Sequence, residues 1–117
     1  MSERDPECLF CRIAAGEIPS DRVHEDDDVV AFRDVAPRAP THVLVIPRRH
    51  VSDAQALTDD DAGLLASCFA ALRHVADAEG LSRGYRIVAN IGPDSGQTVP
   101  HLHFHLLGGR QMSWPPG

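Results

Sequence analysis

Three of the seven histidines stand at alternate positions near the C-terminal end of the chain, in the segment HLHFHLL at residues 101–107. A β-strand advances about 3.3 Å per residue and sends successive side chains to opposite faces. The spacing therefore predicts that His101, His103 and His105 form a row on one face of a strand, about 7 Å apart. The leucine and phenylalanine side chains between them would face the other side.

Neutral imidazole is a nucleophile, a general base and a metal ligand, so the row fits two kinds of chemistry. In one, the histidines bind a catalytic zinc ion that activates water. In the other, one imidazole attacks a phosphorus atom while its neighbours donate hydrogen bonds to the phosphate oxygens. Single surface histidines are common, but three close imidazolium ions would repel one another. The row therefore needs neutral rings or a bound anion, and periodicity alone leaves both chemistries open.

The loop before the row favours phosphate. It reads NIGPDSGQTV and offers backbone amides at Gly92 and Gly96, an amide side chain at Gln97, and hydroxyl groups at Ser95 and Thr98. Backbone N–H groups in such turns form concave anion sites. The eleven basic residues are all arginine. Any phosphate must therefore be bound by histidine, arginine, hydroxyls and backbone amides.

Length and composition exclude several classes of function. The 117 residues carry a formal net charge of −6, and the length predicts one domain over residues 1–117. Without lysine there is no P-loop or Schiff-base lysine, and the acidic balance argues against nucleic-acid partners. No run approaches the roughly 20 apolar residues of a membrane helix. The first ten residues do not resemble a secretory signal, so we expect a cytoplasmic protein with no membrane partner.

Apolar periodicity and turn residues predict the elements that position the row. The pattern predicts a short helix from Cys8 to Ala15, strands at 22–25, 29–33 and 42–47, one long helix from the Thr58 cap to Gly80, a strand at 84–91, and the histidine strand. Few connections are long enough for parallel crossovers. We therefore predict an α+β fold with about five mostly antiparallel strands.

The three cysteines do not form a disulfide framework. Cys68 falls on the apolar stripe of the long helix, so we expect it to be buried. Cys8 and Cys11 have the spacing that lets two thiolates bind one zinc ion, but a tetrahedral site needs two more ligands. The alternative is a pair of reduced thiols packed within a short helix.

The alternating histidines resemble the histidine triad motif, and the chain resembles the histidine triad nucleotide-binding branch of that superfamily. The resemblance rests on CLFCRIAAGEIP, AFRDVAPRAPTHVLVIPRRH, GYRIVANIG, GQTVPHLHFHLLGGRQ and the terminal WPPG, which occur in the family's order and spacing. It implies the HIT-like fold and a homodimer that joins two sheets, with the long helix and the strand at 84–91 at the interface. Residues 110–117 would form a tail that reaches toward the partner subunit.

The resemblance implies hydrolysis of the P–N bond of purine nucleoside phosphoramidates, such as adenosine 5′-phosphoramidate, through a covalent nucleotidyl-histidine intermediate. His103 would be the nucleophile and His105 would bind a non-bridging oxygen. His42 would help to orient the row, and His101 would orient it or bind metal. Thr98 stands where many relatives have serine, and its hydroxyl would donate to the phosphate or the leaving amine.

The same resemblance implies the residues that bind substrate and metal. Asp34 would accept hydrogen bonds from the ribose hydroxyls, and an exposed Trp114 would make a contact near the site. The phosphate would contact Asn90, Gly96, Gln97 and Thr98. The base would lie among Leu9, Phe10, Ile13, Ile18, Phe32 and Val35. A structural zinc ion would be bound by Cys8, Cys11, His50 and His101, and the chemistry itself would need no cofactor.

Three other functions stay open as alternatives. A histidine-zinc hydrolase would lose its activity to chelators and regain it with zinc. Cleavage of dinucleoside polyphosphates occurs in the wider superfamily, although the WPPG tail favours the phosphoramidase branch. A nucleotide-binding adaptor would have only incidental catalysis.

Overall fold

The computed structural model describes residues 4–117. Within that range, two helices and five strands follow one another, with three short 3-10 turns between them. The helices are α1 (Leu9–Ala14) and α2 (Ala62–Ala78), and the strands are β1 (Arg22–Glu25), β2 (Val29–Arg33), β3 (Thr41–Pro47), β4 (Tyr85–Val88) and β5 (Phe104–Gly108). Neither helix of this part of the chain has the length and apolarity that crossing a membrane requires.

The five strands form one sheet in the order β1-β2-β3-β5-β4, and every neighbouring pair is antiparallel. The predicted α+β fold with an antiparallel sheet is therefore confirmed. Strand β5 lies between β3 and β4, where His105 pairs with Leu44 on one side and Val88 on the other. The residue is thus fixed by hydrogen-bonded strands on both sides.

Alternate residues of β2 and β3 belong to two different cores, one on each face of the sheet. On one face, α2 packs through Leu72 and Val75. This core also contains Val29, Ala31, Val43, Val45, Leu102, Phe104 and Leu106. On the opposite face, α1 packs with Val30, Phe32, Leu44 and Ile46. Helix α1 has six residues, too few to be stable alone, so its buried contacts must hold it.

The long helix begins later than predicted. Thr58 does cap the segment, through a capping box with Asp61, but residues 59–61 form a 3-10 turn and α2 begins at Ala62. The helix ends before Gly80, which has a φ of 71° that favours glycine. Cys68 is buried in the α2 core as expected, and burial raises the pKa of its thiol to about 12.

The prediction that all three alternating histidines lie in one strand is wrong. Strand β5 begins at Phe104, so His105 is in the strand while His101 and His103 precede it. The alternation between two sides nevertheless holds. Leu102 and the two apolar residues that alternate with it lie in the α2 core, whereas the histidines lie on the α1 side.

Strand β5 starts later than predicted because the neighbouring strand β3 ends. Strand β3 ends at Pro47, which has no N–H to donate. The N–H of Leu102 donates to the carbonyl of Val51 instead. The predicted strand at 84–91 is likewise shorter, ending at Val88. Two residues later, the Asn90 side chain donates to a loop carbonyl.

Leu72→Ala tests the packing of α2 on the sheet. Leu72 is completely buried in that core, so the change removes apolar contacts and leaves a cavity. The free energy of unfolding should fall by about 2–5 kcal/mol, measured by urea denaturation. Arg73→Ala, at the exposed neighbouring position, is the control and should cost less than about 0.5 kcal/mol. Similar values for the two variants would contradict this packing.

Candidate functional site

Two of the alternating histidines meet two residues of the β2–β3 region on the α1 side of the sheet. The rings of His103 and His105 have centroids 5.1 Å apart. His42, at the start of β3, places Nε2 2.9 Å from Nδ1 of His105. The carboxylate of Asp34 lies 3.5 Å from the same Nε2. The structure thus brings four of the predicted site residues into one chain of contacts.

The hydrogen bonds assign the proton positions of His42 and His105. The backbone N–H of Arg38 donates to Nδ1 of His42 at 3.0 Å, so neutral His42 carries its proton on Nε2. That proton is donated to Nδ1 of His105, which leaves the proton of neutral His105 on its own Nε2. Burial lowers the pKa of both rings, to about 4 for His105. His105 is therefore a neutral hydrogen-bond donor near pH 7.

His103 has the opposite tautomer. Its Nδ1 lies 2.7 Å from the backbone carbonyl oxygen of His101. Because a carbonyl oxygen only accepts, Nδ1 must carry the proton and donate it. The lone pair of His103 is then on Nε2. The edge of the Phe10 ring packs against this imidazole, with centroids 5.2 Å apart, and the side chain is buried.

Cys8, Cys11, His50 and His101 form a second group, with all four ligand atoms within 4.8 Å of one another. Nδ1 of His101 lies 3.3 Å from Sγ of Cys8 and 3.2 Å from Nδ1 of His50, and Sγ of Cys11 lies 3.3 Å from Nδ1 of His50. Tetrahedral zinc bond lengths require about 3.3 Å between two nitrogens and about 3.6 Å between a nitrogen and a sulfur. The donor set and its spacing therefore fit one tetrahedral zinc ion.

His101 is oriented for this role by its other ring nitrogen. Nε2 lies 2.9 Å from the carbonyl oxygen of Pro47, so it carries the proton and the Nδ1 lone pair faces the two cysteines. The ring is completely buried, and burial lowers its pKa to about 4. A neutral imidazole with a free lone pair is the form that binds a metal ion.

The cysteines are positioned by the start of α1. Cys8 is the N-cap residue of the helix, and the backbone N–H of Cys11 donates to its Sγ. The N–H of Asp5 donates to Sγ of Cys11. Burial raises the pKa of the Cys11 thiol, and the hydrogen bond from Asp5 opposes that rise. The short helix is therefore built around its two sulfur atoms.

The loop between β4 and β5 uses its polar side chains to hold its own shape. The Asn90 side chain donates to the carbonyl of Ser95 at 2.6 Å. Gln97 accepts from the N–H of Gly92 and donates to the carbonyls of Ser52 and Val99. The backbone N–H groups of Gly92, Gly96 and Gln97 also donate within the loop. Among the predicted phosphate contacts in the described residues, the hydroxyl of the exposed Thr98 is therefore the donor that the loop itself does not use.

The residues expected to surround the base differ in exposure. Phe10, Ile13 and Phe32 are buried in the α1 core, and Ile18 packs against it. Leu9 and Val35 are exposed, with 45% and 100% of their surface accessible. The buried members of this group belong to the packed α1 core, whereas Leu9 and Val35 present apolar surface to solvent.

Trp114, expected to be exposed, is 80% accessible. Its ring lies under the guanidinium of Arg86, with 5.7 Å from that group to the ring centroid. Arg86 also donates to the carbonyl of Ser113. The tail is thus attached to β4 of its own chain, with the indole left open to solvent.

Three backbone groups of the site were not found from the sequence. They are the N–H of Arg38 and the carbonyls of Pro47 and His101, which fix the protons of three histidines. Every residue carries such groups, so residue types give no signal for them. Only the path of the chain identifies them.

Comparison with known proteins gives the family. A family model described as the HIT domain matches residues 15–112. The chain belongs to the HIT domain family. An uncharacterized HIT-like protein from Synechococcus elongatus is 50% identical over 117 residues, which is all of both chains.

Solved structures agree. A HIT family hydrolase from Legionella pneumophila is 53% identical, with a TM-score of 0.93 over 95% of this chain and 100% of that chain. The histidine triad nucleotide-binding protein from Candida albicans is 31% identical, with a TM-score of 0.79 over 95% of this chain and 85% of that one. The expected HIT fold is confirmed. The match to the HIT model includes the histidine row, while Cys8 and Cys11 precede it.

The low pKa of His105 predicts how stability depends on pH. Histidine in the unfolded chain has a pKa of about 6.5, whereas burial lowers it to about 4 in the folded HIT domain. Between these pH values the unfolded state binds more protons at residue 105 than the folded state does. The contribution of neutral His105 to the free energy of unfolding is therefore complete above about pH 6.5 and is lost as pH falls toward 4. Urea midpoints measured across this range should fall less in His105→Asn than in the original protein. Equal falls would contradict a neutral buried His105.

Proposed function

We propose that this HIT domain protein is a purine nucleoside phosphoramidase of the histidine triad nucleotide-binding branch. One observation carries the proposal most directly. The Nδ1–H of His103 is donated to a backbone carbonyl, which leaves the lone pair of this ring on Nε2. The neighbouring ring of neutral His105, with its centroid 5.1 Å away, carries its proton on Nε2. A nucleophile next to a donor is what displacement at phosphorus requires.

In the first chemical step, Nε2 of His103 attacks phosphorus, the P–N bond breaks, and the amine leaves with a proton that solvent water supplies through a hydroxyl beside the row. We assign Thr98 as the hydroxyl that donates to the phosphate or the leaving amine, because it is exposed on the loop beside the row. The product is a nucleotidyl-imidazole. Holding the attacking group in place of free water can lower the barrier by ~7–11 kcal/mol.

In the second step, water attacks phosphorus and gives one proton to solvent, which replaces the proton taken by the amine. The bond from phosphorus to Nε2 of His103 breaks, the ring regains its lone pair, and the nucleoside monophosphate leaves. Throughout, His105 would donate to a non-bridging oxygen. His42 and Asp34 orient that donor. Nε2 of His42 donates its proton to Nδ1 of His105, and the Asp34 carboxylate lies near the same Nε2. His101 orients the nucleophile through its carbonyl.

The nucleoside would lie against α1 and β2. Asp34 would accept from the ribose hydroxyls. One of its oxygens already accepts from the N–H of Ala36 at 2.8 Å, which fixes the carboxylate and leaves further lone pairs. The base would contact Leu9, Phe10, Ile13, Ile18, Phe32 and Val35. The phosphate would contact Asn90, Gly96, Gln97 and Thr98. The relation to a protein named for nucleotide binding supports this assignment.

The metal cluster would bind a structural zinc ion. Cys8, Cys11, His50 and His101 fit the ion in number, type and spacing. When bound, it would link α1 to the sheet and leave His103 and His105 for the phosphate. The hydrolysis needs no cofactor in this proposal.

We further propose a cytoplasmic homodimer formed through α2 and β4. Strand β4 is an edge strand of the sheet. Exposed apolar side chains occur on β4 and shortly after it, at Tyr85, Ile87 and Ile91, and on α2, at Leu65 and Phe69. Such an edge and patch are typical of interfaces. Residues 110–117 with exposed Trp114 would extend this surface toward the partner's site.

His103→Ala tests the nucleophile. Turnover of adenosine 5′-phosphoramidate should fall by about three or more orders of magnitude, while AMP binding persists. Product release is measured by chromatography and AMP binding by calorimetry. His74→Ala, at an exposed position on α2, is the control and should keep full activity.

The same assay separates the alternatives. Turnover retained by His103→Ala, or no nucleotidyl adduct on His103 in rapidly quenched protein, would contradict the proposed mechanism. A preference for dinucleoside polyphosphates would contradict the phosphoramidase assignment. Zinc-dependent activity in the His103→Ala variant would also contradict the assignment. Such activity would be lost with a chelator, with nucleotide binding unchanged, and would return when zinc is added.

Native mass spectrometry tests the metal. Protein purified with zinc should carry one ion per chain, and Cys8→Ala should lose it because three ligands bind far more weakly than four. Cys68→Ala, a change of the third buried thiol outside the cluster, should keep the ion. Zinc-free protein of undiminished thermal stability would contradict a structural role.

A further inference from the structure

We propose that the metal cluster is a positioning device for the nucleophile: binding of zinc by Cys8, Cys11, His50 and His101 holds His103 in its reactive tautomer. The role of His103 as nucleophile rests on the proposed function. The coupling between cluster and ring rests on contacts alone. The cluster then determines whether the site can react, beyond strengthening the fold.

One residue belongs to both sites. The ring of His101 points its Nδ1 at the two cysteines and His50, and its backbone carbonyl accepts the Nδ1–H of His103. Ring and carbonyl belong to the same residue, so a ring held by the cluster also restrains the backbone that carries the acceptor. A bond of 2.7 Å to a single carbonyl is sensitive to movement of that backbone.

A second contact joins the two sites through α1. Phe10 stands between Cys8 and Cys11 in the sequence. Its ring edge packs against both imidazoles, with centroids 6.0 Å from His101 and 5.2 Å from His103. The two sulfur atoms therefore fix the helix turn that presses Phe10 against the nucleophile.

The segment that carries these residues is buried, but few backbone hydrogen bonds hold it. His101 and His103 precede β5 and lack its ladder of hydrogen bonds. The backbone of this segment is held by Leu102, whose N–H donates to Val51, the residue after His50. The cluster links His50 to His101, and the neighbouring hydrogen bond links Val51 to Leu102. Both therefore connect the same two segments, and release of the cluster would loosen the connection between them.

The chemical consequence concerns one proton. With its carbonyl partner in place, neutral His103 keeps its proton on Nδ1 and its lone pair on Nε2. If the carbonyl moves away, the proton can reside on Nε2 instead, and that tautomer has no lone pair toward the phosphate. Loss of the metal should thus lower the rate of the chemical step and spare nucleotide binding.

The test follows the His103 proton directly by NMR of protein with isotope-labelled histidine. In the zinc-loaded protein, the Nδ1–H of His103 should give a resolved, slowly exchanging signal. Removing zinc with a chelator should abolish that signal or speed its exchange by about tenfold or more, and adding zinc alone should restore it. Circular dichroism confirms that the stripped protein is folded. A folded, stripped protein with an unchanged signal overturns the proposal.

A variant keeps the test decisive if the stripped protein unfolds. His50→Ala, studied with zinc present, removes one ligand and leaves both cysteines and His101. Exchange of the His103 proton should be about tenfold faster than in the original protein. His50→Cys should restore slow exchange, since three cysteines and one histidine also form a zinc site. His74→Ala is the matched control and should leave exchange unchanged. Equal exchange in His50→Ala and His74→Ala overturns the proposal.

Kinetics adds a readout that a merely structural role would not change. For the phosphoramidate, kcat of the His50→Ala protein should fall about tenfold while AMP affinity stays the same. A parallel loss of AMP affinity would overturn the coupling and indicate general loosening. If the zinc-loaded original protein does not hydrolyse phosphoramidates, the proposed function fails, and the proton exchange experiment still decides the coupling.

Discussion

The hydrogen bond from Nδ1 of His103 to the carbonyl of His101 is the interaction on which the candidate site depends. Imidazole has two nitrogens that compete for one proton, and a nucleophilic ring needs that proton on the nitrogen that faces away from the substrate. A backbone carbonyl suits this task because it accepts and never donates. The remaining elements of the site, from the sheet to α1, keep that carbonyl and the ring in contact.

Burial supplies the second constraint, because it keeps closely spaced histidines neutral. Charged imidazoles within about 5 Å would repel one another strongly in a poorly solvated site. Desolvation lowers the pKa of His42, His101 and His105, to about 4 for the last two. Each of these rings also makes a hydrogen bond to a backbone group or to another ring. The rings can therefore be buried in the neutral state with these nitrogens hydrogen-bonded. The same burial makes the fold sensitive to acid.

The side-chain partition could be predicted from the sequence, while the main-chain geometry could not. Alternation in HLHFHLL placed Leu102 and Leu106 on one side and the histidines on the other, because neighbouring side chains of an extended chain point to opposite sides. The start of β5 was wrong because Pro47 ends the neighbouring strand. The tautomers were invisible because they depend on the N–H of Arg38 and two carbonyls, which any residue type would offer. The long helix was overextended because Asp59–Asp61 fit a 3-10 turn as well as a first helical turn.

His101 shows why the metal cluster and the histidine row are linked by more than proximity. A core of apolar side chains could hold α1 against the sheet as firmly as a metal ion, because volume-conserving hydrophobic packing is well tolerated. Such a core would not fix the orientation of the His101 ring. In the observed orientation, Nε2 faces the carbonyl of Pro47 and Nδ1 faces the cysteines. Directional metal bonds fix rotation as well as distance. A site that depends on one carbonyl of that residue would therefore gain, from a metal ion bound at the cluster, an orientation that packing alone does not provide.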